Sequence, residues 1–286
     1  MNAGFRVAMI ALLVSIISIV LMPHAVTGLQ TPATPVWMQL TLVRVAPANI
    51  DDYIAAQRDV TNRLRRGGGG GGGATADAGG GGGRGGGGGG AGAGAGQNFR
   101  LVSRSEFGDT YRFVIQTPAA NLAAFDAAGR NTDPELALLN AKALRYVTGQ
   151  ESYAIRNMAE ISNPMPQNQQ PALMVINVVH VTPGREQDYY NLMKGEFLPH
   201  FDKANVFHTT GNVVFGGPGG FIHYYFYNNF AALDAGSPVV KALGAAGAQA
   251  VTSKFAGIVT SSEQWITRLV PELSIGPWTT GGGTRP

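Results

Sequence analysis

The sequence contains no cysteine among its 286 residues. Disulfides, thiolate metal sites and cysteine nucleophiles are therefore excluded. Charge is also scarce, because only 14% of the residues are charged and the formal net charge is +3. Nucleic-acid binding needs basic residues gathered on one face, so the composition indicates no nucleic-acid partner. A chain of this length can hold two domains, each with its own hydrophobic core.

Familiar catalytic and metal-binding motifs are missing as well. The sequence has no nucleophile elbow, no dinucleotide-binding fingerprint and no Walker loop. Histidines have no fixed spacing to carboxylates, so we predict no metal site, and nothing in the sequence specifies a cofactor. Four histidines fall in the second half, and we expect His180 to approach His223 and His200 to approach His208, without all four converging.

The one long apolar run lies near the N-terminus. Arg6 precedes an uncharged run over Val7–Met22, and small residues follow at Val26–Gly28. This pattern predicts a secretory signal over residues 1–28 and an exported protein, periplasmic or secreted. The run is near the lower limit for spanning a bilayer, so an uncleaved anchor is the alternative. We expect contact with a membrane only in that case.

An internal repeat is the strongest feature of the chain. Val147–Ser162 and Val259–Ser274 share Val-Thr at the start, a Glu-x-aromatic element, an arginine, a second glutamate and a final serine. Earlier blocks also recur, and Val43–Pro47 matches Val179–Pro183. Repeats of this kind indicate a duplicated structural unit. We predict one copy over residues 36–162 and the other over 172–274.

Each copy has the same predicted order of elements. An alternating apolar strand is followed by a helix, a hairpin of two strands, an alanine-rich helix and a last strand. We predict the last strands at Glu151–Glu160 and Glu263–Glu272. This βαββαβ order is that of the ferredoxin-like plait, an antiparallel sheet with helices on one face. The face of each sheet that carries no helices must be covered by another part of the protein. We predict an α+β protein whose two tandem ferredoxin-like repeats pack sheet to sheet as an intramolecular α/β barrel.

Three stretches show no such pattern. Residues 67–96 hold about half of the chain's 41 glycines, which predicts a flexible insertion in the first copy. Residues 163–171 are rich in Pro, Gln and Asn and read as a linker, and residues 275–286 form a glycine-containing tail.

The second copy carries a resemblance to a known superfamily. Its opening Val179–Glu186 with Asp188 and Tyr189, its Phe-Gly hairpin at Phe215 and its Glu-x-Trp element at Glu263 are similar to the dimeric α/β-barrel superfamily. That superfamily includes the antibiotic-biosynthesis monooxygenases. The resemblance implies the barrel, a small-molecule ligand and monooxygenase-like chemistry. Its members do not share one catalytic set, so it assigns no catalytic residue here.

We place the candidate ligand site between the two sheets. The faces carrying Met38 and Met174 are purely apolar, which favours burial under the helices. The opposite faces would then line the barrel, and His223 is the candidate base because it titrates near neutrality. Arg156 and Arg268, at matched positions, are candidates for binding an anionic ligand. The alternative is a structural ion pair with Glu160/Glu272 or Asp52/Asp188. The predicted ligand-binding residues are Gln39, Thr41, Asn177, His223, Tyr225, Arg156 and Arg268.

Two function classes follow. In one, the barrel holds a small apolar or aromatic ligand, with or without oxygenase chemistry. In the other, the protein is a non-enzymatic exported scaffold whose barrel is filled by side chains. A filled barrel would show apolar contacts only, whereas a pocket needs a few converging polar groups. The sequence leaves enzymatic activity and oligomeric state open.

Overall fold

A computed structural model describes residues 37–67, 99–119, 121–129, 133–166, 169–217 and 219–276. The predicted signal segment, most of the glycine insertion and nearly all of the tail lie outside the described residues. No helix in the described ranges is long and apolar enough to cross a membrane.

The strands and helices predicted from the sequence are present in both halves. The first half contains β1 (Trp37–Val45), α1 (Ile50–Gly67), β2 (Leu101–Ser105), β3 (Arg112–Ala119), α2 (Ala123–Gly129), α3 (Pro134–Leu144) and β4 (Val147–Asn157). The second contains β5 (Leu173–Val181), α4 (Glu186–Leu192), α5 (Leu198–Lys203), β6 (His208–Phe215), β7 (Gly220–Tyr227), α6 (Ala231–Asp234), α7 (Pro238–Thr252) and β8 (Val259–Leu269). A π-helical turn, Met193–Phe197, joins α4 to α5.

The eight strands form one closed antiparallel barrel in the order β1-β3-β2-β8-β5-β7-β6-β4. Each half contributes four neighbouring strands, and the halves join edge to edge at two seams, β2 with β8 and β4 with β6. Each strand of the barrel has a neighbour on both sides, although the two seams pair only Ser103–Ser105 with Thr267–Leu269 and Ala154–Asn157 with Gly211–Phe215.

Apolar side chains fill three regions. One lies inside the barrel and draws on both halves, with Leu40 and Ile155 from the first and Ile176 and Ile222 from the second. The other two lie outside it, between the sheet and the helices of each half. Much of both faces of the strands is therefore buried, which explains why β1 and β5 carry apolar residues on both faces.

Each half ends in a short segment that crosses to the other half. We call residues 158–163 and 270–275 the crossover segments. The first follows β4, yet its Ile161 is fully buried in the helix-side core of the second half. The second follows β8, and its Leu273 is fully buried in the helix-side core of the first half. Each half therefore completes the core of the other.

Hydrogen bonds hold each crossover segment on the opposite half. The Val102 N–H donates to Ser274 Oγ at 3.0 Å, and Arg100 and Ile275 exchange two backbone hydrogen bonds of 2.7 and 2.6 Å. Serine and the paired backbone thus satisfy groups that would otherwise be buried without partners. The second half repeats the arrangement, with Thr210 donating to Ser162 Oγ and His208 exchanging backbone bonds with Asn163.

The crossover segments also correct the predicted last strands. The sequence placed Glu160 and Glu272 in strands, but β4 ends at Asn157 and β8 at Leu269. Both glutamates lie in the 3-10 turns that follow, Ala159–Ile161 and Pro271–Leu273. Their recurrence therefore reflects the crossover and not a strand pairing.

Candidate functional site

A cavity of about 580 Å³ opens at one mouth of the barrel, between the two halves. We call it the mouth cavity. The strands supply its side chains in alternation, because every second residue of a strand faces the lumen. Its apolar floor consists of Leu40, Leu42, Val178, Val213 and Ile222, and its rim carries Arg44, Arg112, Thr148, Gly149, Gln150, Glu151, Tyr153, His180, Glu263 and Trp265.

Glu151 and Tyr153 form one side of the rim. They lie two residues apart on β4 and therefore share the lumen face. The Tyr153 hydroxyl donates to Glu151 Oε2 at 2.7 Å. Partial burial, followed by the Glu151 carboxylate, raises the pKa of Tyr153 to about 12. The phenol therefore stays protonated and available as a hydrogen-bond donor at neutral pH.

Two arginines of the first half lie on the rim and are already engaged. Arg44 Nε donates to Asp109 Oδ2 at 2.7 Å, and Arg112 Nε lies 3.9 Å from the same oxygen. The Arg112 guanidinium also lies 5.1 Å from the ring centroid of Trp265, which is cation–π distance. Asp109 and Trp265 thus hold both guanidinium groups in place.

The structure reverses the predicted facing of the strands. The residues expected between the sheets, Gln39, Thr41, Asn177, His223 and Tyr225, belong to the outer face of the barrel. The predicted neighbours are correct, since Asn177 pairs with His223 in the register of β5 and β7. The face assignment was wrong because both faces are apolar enough for burial. Tyr225 belongs to the core beneath the helices of the second half.

His223 is fully buried and has partners for both ring nitrogens. Tyr189 Oη, on α4, lies 2.7 Å from His223 Nε2, and Thr210 Oγ1 lies 2.9 Å from Nδ1. A neutral imidazole has one donor and one acceptor, so this pair of hydroxyls satisfies it. Burial lowers the pKa of His223 to about 3. It is therefore a neutral core residue that does not reach the mouth cavity.

The predicted approach of His180 to His223 is also wrong. His180 lines the mouth cavity, whereas His223 lies on the outer face of the same half. His208 hydrogen-bonds the carbonyl oxygens of Val206 and Ile161 and is buried. Among the described residues, no group of three or more histidine, aspartate or glutamate side chains could hold a metal ion.

His223 leads to a prediction about acid stability. The unfolded histidine binds a proton below its ordinary pKa of 6.5, but the folded one does so only near 3. The folded state is therefore favoured above pH 6.5, and this stability is lost as the pH falls. We expect the free energy of unfolding to drop by about 1.4 kcal/mol per pH unit between pH 6 and 4 from this proton alone.

Denaturant unfolding at several pH values measures that slope. His223→Gln removes one titrating group, so its slope should be smaller than that of the wild type by about one proton. His200→Gln, on the exposed face of α5, is the control and should leave the slope unchanged. An unchanged slope in His223→Gln would show that the buried imidazole does not govern acid stability.

The matched arginines lie outside the cavity as well. Arg268 is on the outer side of β8, where its Nε donates to Glu106 Oε1 at 2.6 Å and its guanidinium lies 5.5 Å from the Phe230 ring centroid. The predicted structural ion pair is therefore present, but the partner of Arg268 is Glu106 and not Glu272 or Asp188. Arg156 is exposed on the outer face of β4.

The rim residues that sequence reasoning passed over were visible in the repeat. Glu151 and Tyr153 recur as Glu263 and Trp265, and Arg44 recurs as His180. The cue was a charged residue alternating with an aromatic on a strand, which places both on one face.

No protein-family model matches the sequence, and no curated protein is detectably similar to it. Solved structures are similar in fold. A candidate monooxygenase from Lactobacillus acidophilus has a TM-score of 0.52 at 11% identity, over 85% of this chain and 99% of that one. Another from Fusobacterium nucleatum has a TM-score of 0.55 at 11% identity, over 83% and 93%.

An anthrone oxidase-like protein is also similar, with a TM-score of 0.50 at 10% identity, over 84% of this chain and 92% of that one. These structures have the dimeric α/β-barrel fold, and so does this chain. The resemblance seen in the sequence is therefore confirmed at the level of the fold. Identities this low establish the fold alone.

Proposed function

We propose that the protein binds a small apolar or aromatic molecule in the mouth cavity. The observation that carries this proposal is the cavity itself, with an aliphatic floor and a polar rim in about 580 Å³. Ligand sites are concave, mostly apolar and of a few hundred cubic ångströms, with a small number of oriented polar groups. The floor would bury the ligand's apolar body, while the rim would orient its polar end.

The alternative is a non-enzymatic scaffold with a filled barrel. Deeper in the lumen the barrel is filled, since Ile176 and Tyr224 are fully buried there. The mouth differs, because polar and apolar side chains from both halves surround open space. Ligand binding therefore accounts for more of the structure than a purely structural role does.

Monooxygenase-like chemistry is the second candidate, and the similar structures favour it. An activated methylene can react with O₂ so that one oxygen atom becomes its carbonyl oxygen and the other leaves as water, the substrate supplying the electrons. Such a reaction needs a group that removes a proton, and Glu151 or His180 on the rim could serve. Oxygen uptake on adding anthrone-type compounds tests this candidate. If compounds that bind the protein cause no oxygen uptake, the monooxygenase candidate fails and the ligand-binding proposal stands.

Cavity filling tests ligand binding. We expect small aromatic ligands at one hundred times their Kd to raise the Tm of the wild type by about 5 °C or more. Val178→Phe puts a ring into the floor and should abolish the shift, because the ligand and the ring compete for one space. Val240→Phe, on the partly exposed face of α7, is the matched control and should keep the ligand-induced Tm shift. Equal shifts in the two variants would place binding elsewhere.

We also propose that the two halves arose by duplication of a ferredoxin-like βαββαβ unit, and that the protein is exported after cleavage near residue 28. The recurrence of matched residues at Ile161 and Leu273, and at Arg100 and His208, supports the duplication. The N-terminal apolar run supports export. N-terminal sequencing of the mature protein tests the cleavage, which an intact Met1 would contradict.

A further inference from the structure

A second cavity, of about 160 Å³, lies outside the barrel, beside the last residues of β7. We call it the outer cavity. Tyr225 and Tyr227 lie two residues apart on this strand, so they share its helix-side face, and both line the outer cavity. Ile222 of the same strand faces the lumen and lines the mouth cavity. The two cavities therefore lie on opposite faces of the sheet.

The tyrosine hydroxyls of the outer cavity have no partner in the protein. Tyr225 is only 6% exposed, and its ring packs against the rings of His208 and Phe201. Within the described ranges, neither the Tyr225 nor the Tyr227 side chain makes a hydrogen bond, and the Tyr225 hydroxyl is not sealed from the open space. Buried hydroxyls are normally hydrogen-bonded to the protein or to a molecule beside them. The outer cavity thus offers two donors to its occupant.

The charge on the wall of the outer cavity is positive. Lys241, on α7, lines it, and no described carboxylate lies within 4.0 Å of the lysine ammonium group. No aspartate or glutamate is among the described lining residues. Burial raises the pKa of Tyr227 to about 12 and also raises the pKa of Tyr225, so both phenols keep their protons at neutral pH. An ammonium group and two phenols all donate, which suits a ligand that accepts hydrogen bonds.

We propose that the outer cavity binds a small aromatic carboxylate of the size of benzoate. The carboxylate accepts hydrogen bonds from Lys241 and from the hydroxyls of Tyr225 and Tyr227, and bonds between ionised groups are the strong ones. The ring lies against Phe207, which also lines the cavity. An apolar cavity of about 150 Å³ holds one benzene molecule, so a cavity of about 160 Å³ has room for a single ring.

The site belongs to the second half alone. Thr117 and Ala119 stand in the first half where Tyr225 and Tyr227 stand in the second, so the first half lacks both phenols. A cation fits the outer cavity less well than a carboxylate, because Lys241 would repel it. The inference is independent of ligand binding in the mouth cavity, since the two sites share no lining residue.

Three compounds with one benzene ring and different charges test the proposal. We would titrate the full-length protein with benzoate, benzyl alcohol and benzylamine at pH 7 and follow the binding by residue-resolved NMR. Benzoate should bind about tenfold tighter than benzyl alcohol, because charge-assisted hydrogen bonds are about twice as strong as neutral ones. Benzylamine should bind most weakly. The signals that benzoate shifts should be those of β7 and α7.

Variants locate the groups that bind the carboxylate. Lys241→Gln should weaken benzoate about tenfold and leave benzyl alcohol unchanged, and Tyr227→Phe, which keeps the ring, should weaken benzoate by up to about tenfold. Lys142→Gln removes an equivalent charge in the first half and should change nothing. Val178→Phe fills the mouth cavity and should also leave benzoate binding unchanged.

Each outcome decides for or against the outer site. Equal binding of benzoate and benzyl alcohol, tightest binding of benzylamine, or benzoate binding that Lys241→Gln leaves unchanged overturns the proposal. Loss of benzoate binding in Val178→Phe would place the compound in the mouth cavity, which overturns the outer site and supports the proposed function. If benzoate does not bind at all, the outer site fails, and ligand binding in the mouth cavity is still decided by its own Tm test.

Discussion

Replacing Leu273 by alanine is expected to lower the free energy of unfolding by about 2 to 5 kcal/mol. Leu273 is fully buried in the first half's core, although it follows β8 of the second half. Its loss removes apolar contacts and leaves a space that the surrounding strands cannot close, because α1 and β2 also bond this turn. Thr61 Oγ1 donates to the Leu273 carbonyl at 3.2 Å, and the Arg65 guanidinium donates to the next carbonyl, that of Ser274, at 2.8 Å.

Denaturant unfolding of three variants checks this expectation. Ile161→Ala, at the matched position of the first crossover segment, should lower the free energy of unfolding by a similar amount, because Ile161 is also fully buried. Leu138→Ala lies on the exposed side of α3, where the side chain is 69% exposed, and should stay within about 0.5 kcal/mol of wild type. A small loss at both crossover positions would mean that the halves do not complete each other's cores.

Gly216→Ala is expected to cost more than about 2 kcal/mol and to disturb the cavity. Gly216 has a φ of +95°, which alanine rarely adopts. A Cβ at this position would also overlap the carbonyl oxygen of Ser152, next to Tyr153. Either β4 or the turn must move, and β4 carries Glu151 and Tyr153 of the cavity rim.

The same turn offers a matched control. Gly219→Ala places its Cβ where no atom lies within 4 Å, and it should change the stability by less than about 1 kcal/mol. Denaturant unfolding gives the loss of stability in both variants, and titration of the Tyr153 phenol by residue-resolved NMR reports on the rim. We expect Gly216→Ala to move that pKa down from about 12, because the contact with Glu151 loosens. Equal behaviour of the two glycine variants would show that the turn does not constrain β4.

Much of the fold could be predicted because the chain repeats itself. The matched blocks gave the order of elements in both halves, and the glycine insertion explained their different lengths. The barrel followed from the need to cover an apolar sheet face. The crossover segments could not be predicted, since nothing local tells whether a residue such as Ile161 is buried by its own half or by the other.

The site was harder to predict than the fold. Much of both faces of the strands is buried, so the position of polar residues along a strand does not show which face lines the barrel. A strand with one solvated face shows polar residues on that side, but β5 is covered by helices outside and by the lumen inside. His223 was predicted as a site residue because histidine titrates near neutrality and its strand face was expected to line the barrel. Its partners, Tyr189 on α4 and Thr210 on β6, are distant in sequence, and only the fold shows that they satisfy it.

The crossover segments have a consequence for the time course of folding. The first half lacks the side chain of Leu273 and the pairing of Arg100 with Ile275 until residues 270–275 have been synthesised. Pairings between residues so far apart in sequence close large loops, which slows folding. We therefore expect no stable intermediate in which one half is folded alone. The two halves should instead acquire their stable cores together, once residues 270–275 have been synthesised.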